Sequence, residues 1–161
     1  MKPLKYFTLT ALFLISIHCL ALQAITGKVV RVADGDTITI LTSDKEQVKI
    51  RFAGIDCPER AQPWGRNATE ALKAVLTGEP VKVEVVDVDR YGRTVGRVYI
   101  KDMNINRHLV ESGNCWVYPR YAKDSQLFKL QDEAKAAQRG LWRLPEIERV
   151  PPWEWRKNKR K

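Results

Sequence analysis

The sequence predicts an α+β fold in which a small five-stranded β-barrel carries three packed α-helices. Runs of alternating β-branched residues indicate three strands and, after an intervening segment with helical spacing, two more strands. Two further helical patterns follow. The 161 residues, 44% of them hydrophobic, suffice for one core and one domain. A five-stranded barrel of the OB type accounts for this order. An open antiparallel sheet with helices on one face is the alternative.

The first 24 residues are typical of a secretory signal peptide. Two lysines precede an apolar run over residues 9–22, and Ala24 provides a small residue before polar sequence begins. The run is shorter than the roughly 20 residues of a membrane span, which favours a cleaved signal peptide. An uncleaved anchor is the alternative. His18 stands where lipid attachment to Cys19 would require a small residue. We therefore expect an exported protein, either periplasmic or secreted.

The first half of the mature chain predicts a meander followed by a helix. β-Branched residues alternate with polar ones between Thr26 and Ile55, which indicates three strands. Residues 34–35 and the polar stretch 42–46 supply the two turns. Apolar residues at helical spacing over 68–75 predict a helix that ends before Gly78-Glu79-Pro80.

The second half predicts two strands and two helices. Valines alternate with charged residues over 81–85, and a second strand follows over 95–100 beyond a Tyr-Gly turn. Apolar residues within 105–110 indicate a short helix. The clearest helical pattern runs over 127–141, with steps of three and four residues.

The chain is strongly basic, with a net charge of +9 and a pI near 9.6. A basic surface attracts anionic partners, and nucleic acid is favoured here over a membrane surface. Part of the charge lies in residues 145–161, a proline- and tryptophan-rich segment that we expect to be a mobile tail behind a folded domain of residues 25–144. This tail could capture a polyanion or simply improve solubility.

Export also changes the meaning of the cysteines. Cys57 and Cys115 are the two that remain after removal of the signal peptide, and they would enter an oxidising compartment. The sequence therefore predicts a disulfide between them. Two buried free thiols are the alternative.

Residues that carry chemistry concentrate in three short segments. Asp34–Thr37 places two carboxylates around a glycine, Arg51–Glu59 ends a strand with an arginine, an aspartate and a glutamate, and Asp89–Arg93 forms a hairpin turn. Each segment has a plainer interpretation: an ordinary turn, a surface ion pair made by Arg51, and a turn with exposed charges.

Together the three segments supply the groups that a phosphodiesterase needs. Asp36 and Asp56 offer the oxygen ligands that a hard divalent cation prefers. Arg51 and Arg93 offer forked donors for phosphoryl oxygens and for the charge of a transition state. Glu59 could orient or deprotonate an attacking water.

Other catalytic routes lack their residues in this sequence. His108 is the single histidine of the mature chain, and neither a Cys/His metal cluster nor a glycine-rich phosphate loop is evident. Zinc chemistry and serine-nucleophile chemistry are therefore disfavoured.

The three segments, in this order and approximate spacing, resemble the staphylococcal-nuclease-like, or thermonuclease, family. The resemblance extends from about Thr26 to Trp142. It implies an OB barrel with three helices. It also implies Ca²⁺-dependent hydrolysis of DNA and RNA with little sequence preference, in which the bond to the 5′ oxygen breaks and 3′-phosphate ends remain.

The resemblance also implies roles by position. Asp36 and Asp56 match metal-binding carboxylates, and the main-chain carbonyl of Cys57 matches a third ligand, although the family's best-known member has threonine there. Arg51 and Arg93 match phosphate-binding arginines.

The remaining matched positions concern the proton and the nucleotide. Glu59 matches the presumed general base, and Tyr91 matches a nucleotide-contacting tyrosine beside Arg90, which we also assign to substrate binding. Tyr118 and Tyr121 align approximately with a stretch that stacks on the base.

A non-catalytic OB-fold protein that binds single-stranded nucleic acid is the alternative function. Such modules usually lose the acidic or arginine positions. In this sequence all five of these residues are present: Asp36, Arg51, Asp56, Glu59 and Arg93. We therefore expect a metal-dependent endonuclease that is monomeric, needs no stable protein partner and contacts no membrane beyond its signal peptide.

Overall fold

The computed structural model describes residues 24–76 and 78–159, so the predicted signal peptide, except for its last residue, lies outside the described part of the chain. The strands are β1 (Ala24–Asp34), β2 (Thr37–Thr42), β3 (Gln47–Phe52), β4 (Ile55–Asp56), β5 (Val81–Val88), β6 (Thr94–Ile100), β7 (Met103–Asn104) and β8 (Trp116–Val117). The helices are α1 (Gly65–Val75), α2 (Ile105–Glu111), α3 (Ser125–Ala136) and α4 (Pro152–Asn158). None of these helices has the length and apolar content needed to cross a membrane.

Five of the strands close into a barrel. β1, β2 and β3 form the predicted antiparallel meander, and β5 joins it by pairing with β1 and β6. The barrel closes because β3 also pairs in parallel with β6, where Ile50 lies opposite Thr94 and Phe52 opposite Gly96. This topology confirms the predicted five-stranded OB-type α+β fold rather than the open sheet.

The barrel interior is filled by the apolar residues that alternate along the strands. Ile38, Ile40, Ile50, Val83 and Val98 are fully buried, since successive side chains of a strand point to opposite faces. The helices contribute the buried residues Ala68 and Leu72 of α1, Ile105, Leu109 and Val110 of α2, and Leu127 and Ala134 of α3.

Helix α3 is shorter than its apolar pattern suggests. We expected helix through Leu141, but α3 ends at Ala136 and a 3-10 turn covers Gly140–Arg143. Gly140 adopts a φ of +55°, and the next N–H, of Leu141, donates to the carbonyl of Gly113 at 2.8 Å. This close backbone approach favours glycine and overrides the helical periodicity.

Two very short strands, β4 and β8, were not evident from the sequence. They pair antiparallel, with Ile55 opposite Val117 and Asp56 opposite Trp116. A two-residue strand has no detectable alternation. Its effect is to place Asp56 beside the segment that follows Cys115.

The expectation of a mobile tail after Leu144 is wrong for the residues that the structure describes. Helix α4 begins at Pro152, a residue favoured in the first helical turn because its missing N–H is not needed there. Trp153 then packs edge-on against Trp116, with ring centroids 6.1 Å apart. Aromatic contacts therefore hold this segment against the barrel domain.

Candidate active site

Asp36 occupies the turn between β1 and β2 and is only 5% exposed. Its main-chain N–H donates to the Asp34 carboxylate at 3.1 Å. One oxygen of its own carboxylate, Oδ2, accepts the N–H of Cys57 at 2.6 Å, and the other accepts the Thr37 hydroxyl at 3.2 Å. The predicted turn thus also holds a buried carboxylate in one orientation.

Arg51, at the end of β3, joins Asp36 to Asp56. Its Nη1 lies 3.1 Å from Asp36 Oδ2, and its Nη2 lies 2.9 Å from Asp56 Oδ1. The arginine side chain is 14% exposed and the Asp56 side chain 2%. Arg51 does form ion pairs, but they are nearly buried rather than at the surface.

Burial dominates the electrostatics of Asp36. The pKa of its carboxyl is raised to about 8, chiefly because burial removes the group from water, and the Arg51 guanidinium offsets only part of that effect. The nearby carboxylates of Asp34 and Asp56 raise the pKa further. An additional cation at this point would therefore stabilise the ionised form of the carboxyl.

The donor set fits a hard cation, although it is sparse. Asp36 and Asp56 are carboxylates that face one guanidinium, and their oxygens are the ligand type that Ca²⁺ or Mg²⁺ prefers. Within residues 24–76 and 78–159, no group of three or more His, Cys, Asp and Glu side chains lies close enough to hold an ion. A cation would therefore also need main-chain oxygens, such as the carbonyl of Cys57, and water.

Arg156 of α4 enters the site, which the sequence did not lead us to expect. Its Nη2 lies 2.6 Å from Asp56 Oδ2. Its Nη1 lies 2.7 Å from Glu59 Oε1 and 3.2 Å from Asp56 Oδ1. Partial burial lowers the pKa of Arg156, but the hydrogen bonds to both carboxylates outweigh it and raise the pKa above its ordinary value.

Sequence reasoning missed Arg156 because the segment was classified by composition. A usable signal existed: Pro152 marks a helix start, and Trp153 and Arg156 are three residues apart, so they share one helical face. The partners of Arg156, however, are Glu59 and Asp56, which are 97 and 100 positions away in the chain. Such pairings follow from the tertiary fold.

The hairpin before β6 pairs Arg93 with Asp89. Its Nε lies 2.7 Å from Asp89 Oδ2, while Asp89 Oδ1 accepts the N–H groups of Tyr91 and Arg93. Slight burial raises the pKa of Asp89, but these hydrogen bonds lower it overall. Thr94 pairs with Ile50, so the hairpin adjoins the strand that carries Arg51.

The other residues of the hairpin are exposed. Arg90 donates to the Tyr91 hydroxyl at 2.8 Å and also lies over the Tyr91 ring, 4.9 Å from its centroid. Tyr91 is 68% exposed. Both side chains are thus accessible to a nucleotide, as their predicted role requires.

The two later tyrosines lie beside α4. The Tyr118 ring stacks on the Trp153 ring, with centroids 5.0 Å apart and planes 3° from parallel. Tyr121 meets Tyr118 edge-on at 4.8 Å and is 58% exposed. Tyr121 therefore keeps the more accessible ring.

A disulfide joins Cys57 to Cys115, in agreement with the prediction. The turn at Gly35 packs against it so closely that a Cβ there would lie 2.8 Å from Cys57 Cβ. The disulfide therefore joins the loop after Asp56 to the residue before β8, and the turn of Asp36 packs against it.

The closed mixed barrel, with a guanidinium held between two acidic segments at one end, defines the class of staphylococcal-nuclease-type barrels. Comparison with known proteins agrees with this class. The family model described as staphylococcal nuclease homologue matches residues 49–144. The chain belongs to this family. The matched range begins after Asp36 and ends before Arg156.

Several relatives are similar over most of their length. An Escherichia coli protein described as an uncharacterized endonuclease is 46% identical over 136 residues, covering 84% of this chain and 87% of its own. Protein ParB of Escherichia coli is 36% identical over 171 residues, which cover 98% of this chain and 95% of its own. Micrococcal nuclease of Shigella flexneri is 37% identical over 142 residues, with 81% and 80% covered.

Proposed function

We propose that this protein is an endonuclease that uses Ca²⁺ to hydrolyse phosphodiester bonds of DNA and RNA with little sequence preference. The observation that carries the proposal is the Arg51 guanidinium, which lies between the two buried carboxylates of Asp36 and Asp56. The names of its relatives, endonuclease and micrococcal nuclease, support it.

The residues divide the reaction among them. Asp36, Asp56 and the Cys57 carbonyl would hold the cation, which would supply positive charge to the phosphoryl oxygens. Arg51 and Arg93 bond the same phosphate and stabilise the charge of its five-coordinate transition state. Their planar, forked donors suit two oxygens at once.

Glu59 acts on the attacking water. Its carboxylate accepts a proton while the water oxygen bonds to phosphorus and the bond from phosphorus to the 5′ oxygen breaks. The 5′ oxygen takes up a proton from solvent, and the phosphate stays on the 3′ oxygen. Arg90, Tyr91, Tyr118 and Tyr121 contact the nucleotides on either side, and stacking on a ring tolerates any base.

We also propose that the chain is exported, to a periplasm or to the medium, and acts as a monomer. The disulfide between Cys57 and Cys115 supports export, because such bonds persist in oxidising compartments. The apolar run of residues 9–22 supports a signal peptide.

Incubation of the purified mature chain with plasmid DNA and with RNA tests the proposal. We expect both to be degraded with Ca²⁺ and neither with a chelator. DNA fragments should become primers for a polymerase only after phosphatase treatment, because their 3′ ends carry phosphate. Binding without cleavage under these conditions would instead support the non-catalytic OB-fold alternative.

A further inference from the structure

The C-terminal helix contributes two side chains to one end of the barrel. Trp153 and Arg156 lie on the same face of α4 because they are three residues apart. Trp153 stacks on Tyr118 and packs against Trp116 of β8, the strand that pairs with β4. These aromatic contacts fix α4 at the level of Asp56 and leave Arg156 facing the carboxylates.

Glu59 is attached to the C-terminal segment through both its backbone and its side chain. Gln62, which is 5% exposed, accepts the main-chain N–H of Glu59 at 3.1 Å. The amide nitrogen of Gln62 donates in turn to the carbonyl of Val150, just before α4. Arg156 holds the Glu59 carboxylate at 2.7 Å. This double attachment fixes a side chain that is otherwise 42% exposed.

The two aspartates keep spare acceptor capacity beside this guanidinium. Each carboxylate oxygen has two acceptor sites. Asp56 Oδ2 accepts from Arg156 only, and Asp36 Oδ1 accepts from Thr37 only, among the hydrogen bonds of the described residues. Each aspartate thus keeps acceptor capacity while both guanidiniums stay in place.

We propose that Arg156 is a positioning residue, which ties the Glu59 carboxylate to Asp56 and so orients the base toward the reacting phosphate. This inference rests on the proposed nuclease function. Helix α4 is then part of the active site. A bidentate guanidinium suits this task because it is always charged and planar, and it bonds two carboxylates at once.

Matched variants of two neighbouring residues test this role. Arg156→Gln removes the guanidinium, and Lys157→Gln removes the same charge from an exposed neighbour on α4. We expect Arg156→Gln to lower kcat about 10- to 100-fold, as loss of orienting contacts typically does, with KM little changed. Lys157→Gln should leave kcat within about twofold, and Arg156→Lys should recover only part of the loss because it lacks the fork.

Calcium binding gives a readout that does not depend on turnover. Arg156→Gln removes a positive charge in contact with Asp56, so calorimetry should show Ca²⁺ bound about threefold tighter or more. Tighter Ca²⁺ binding together with a lower kcat distinguishes positioning from a structural role, since a distorted site would lower both the Ca²⁺ affinity and kcat. Thermal melting of each variant confirms that it is folded.

A double-mutant cycle identifies the residue through which Arg156 acts. Arg156→Gln should have little further effect on kcat in a protein that already carries Glu59→Gln. Additive losses, or a kcat in Arg156→Gln equal to that of Lys157→Gln, would overturn the positioning role while the nuclease function stands. Faster turnover of Arg156→Gln would overturn it too and would make α4 an inhibitory strap. An inactive parent protein would instead count against the proposed function itself.

Discussion

Arg51 and Arg93 are assigned the same work on phosphate but have different surroundings. Arg51 is nearly buried between two carboxylates that have little access to water. Arg93 pairs with Asp89 at the surface, where the two side chains are 26% and 20% exposed. Removal of Arg51 takes away the cationic partner of the buried Asp36 and leaves Asp56 with Arg156 alone, whereas removal of Arg93 leaves a carboxylate that water can solvate.

We therefore predict that activity and stability separate in these two variants. Arg51→Ala and Arg93→Ala should each lower kcat roughly 100-fold or more, because each loses a charged donor to the transition state. Arg51→Ala should also lower the free energy of unfolding by about 3–5 kcal/mol, and Arg93→Ala by no more than about 1 kcal/mol. Kinetic assays and urea denaturation measure both effects. Full activity in either variant would falsify its role.

At the residue scale, the sequence predicted those site residues that lie within short motifs. Asp36, Arg51 and Asp56 come together because they occupy a turn, a strand end and the short strand that follows, all close in the chain. Arg156 could not be predicted in this way, since its contacts depend on how α4 docks. The same holds for Trp153 and its stacking on Tyr118.

At the scale of elements, one aspartate connects helices α2 and α3. Asp124 caps α3 by accepting the N–H of Gln126 at 3.1 Å. Its carboxylate also bonds Arg107 of α2 at 2.7 Å. The hydrogen bond from Arg107 lowers the pKa of Asp124, an effect that partial burial opposes. The charge therefore serves both a helix terminus and a contact between two helices.

Asp124→Asn separates these two contributions. Asparagine caps a helix about as well as aspartate, so a decrease in the free energy of unfolding reports on the pair with Arg107. We expect this decrease to be about 0.5–1 kcal/mol at neutral pH. A lowered folded-state pKa stabilises the fold above the unfolded value, and this stability is lost as the pH falls through the folded value. The difference between variant and parent should thus be constant well above the ordinary pKa of 3.8 and shrink as the pH falls through and below that value. A difference that grew in acid would contradict the assignment; chemical denaturation at several pH values measures it.

The elements that the sequence described well are those long enough to show a period. The barrel strands and α1 follow alternation or helical spacing over many residues. β4 and β8 are too short for any pattern, and the end of α3 is decided by the contact between Gly113 and Gly140. Composition misled us for α4, because proline and tryptophan can mark either a linker or a packed helix.

For the whole molecule, the disulfide is the covalent connection between distant parts. Cys57 and Cys115 are separated by 58 positions, and the intervening chain includes α1, β5, β6 and α2. A cross-link over so long a loop restricts the unfolded chain considerably. It also joins the loop after Asp56 to β8, on which α4 packs.

We predict that loss of this disulfide weakens both the fold and the metal site. The double variant Cys57→Ala, Cys115→Ala should unfold with a free energy lower by about 2–5 kcal/mol, and calorimetry should show weaker Ca²⁺ binding because the Cys57 carbonyl loses its restraint. The parent protein with and without a reductant is the control. Equal melting temperatures and equal calcium affinities in variant and parent would contradict this role.

The parallel pairing of β3 with β6 gives folding kinetics a direct bearing on the site. It joins segments separated by α1 and β5, so it requires closure of a long loop before its contacts repay the entropy. Because Arg51 lies opposite Val95 on this ladder, we expect its guanidinium to reach its final place only after β3 and β6 have paired. In a stopped-flow refolding experiment, nuclease activity should therefore return with the slowest folding phase, after most helical signal has recovered.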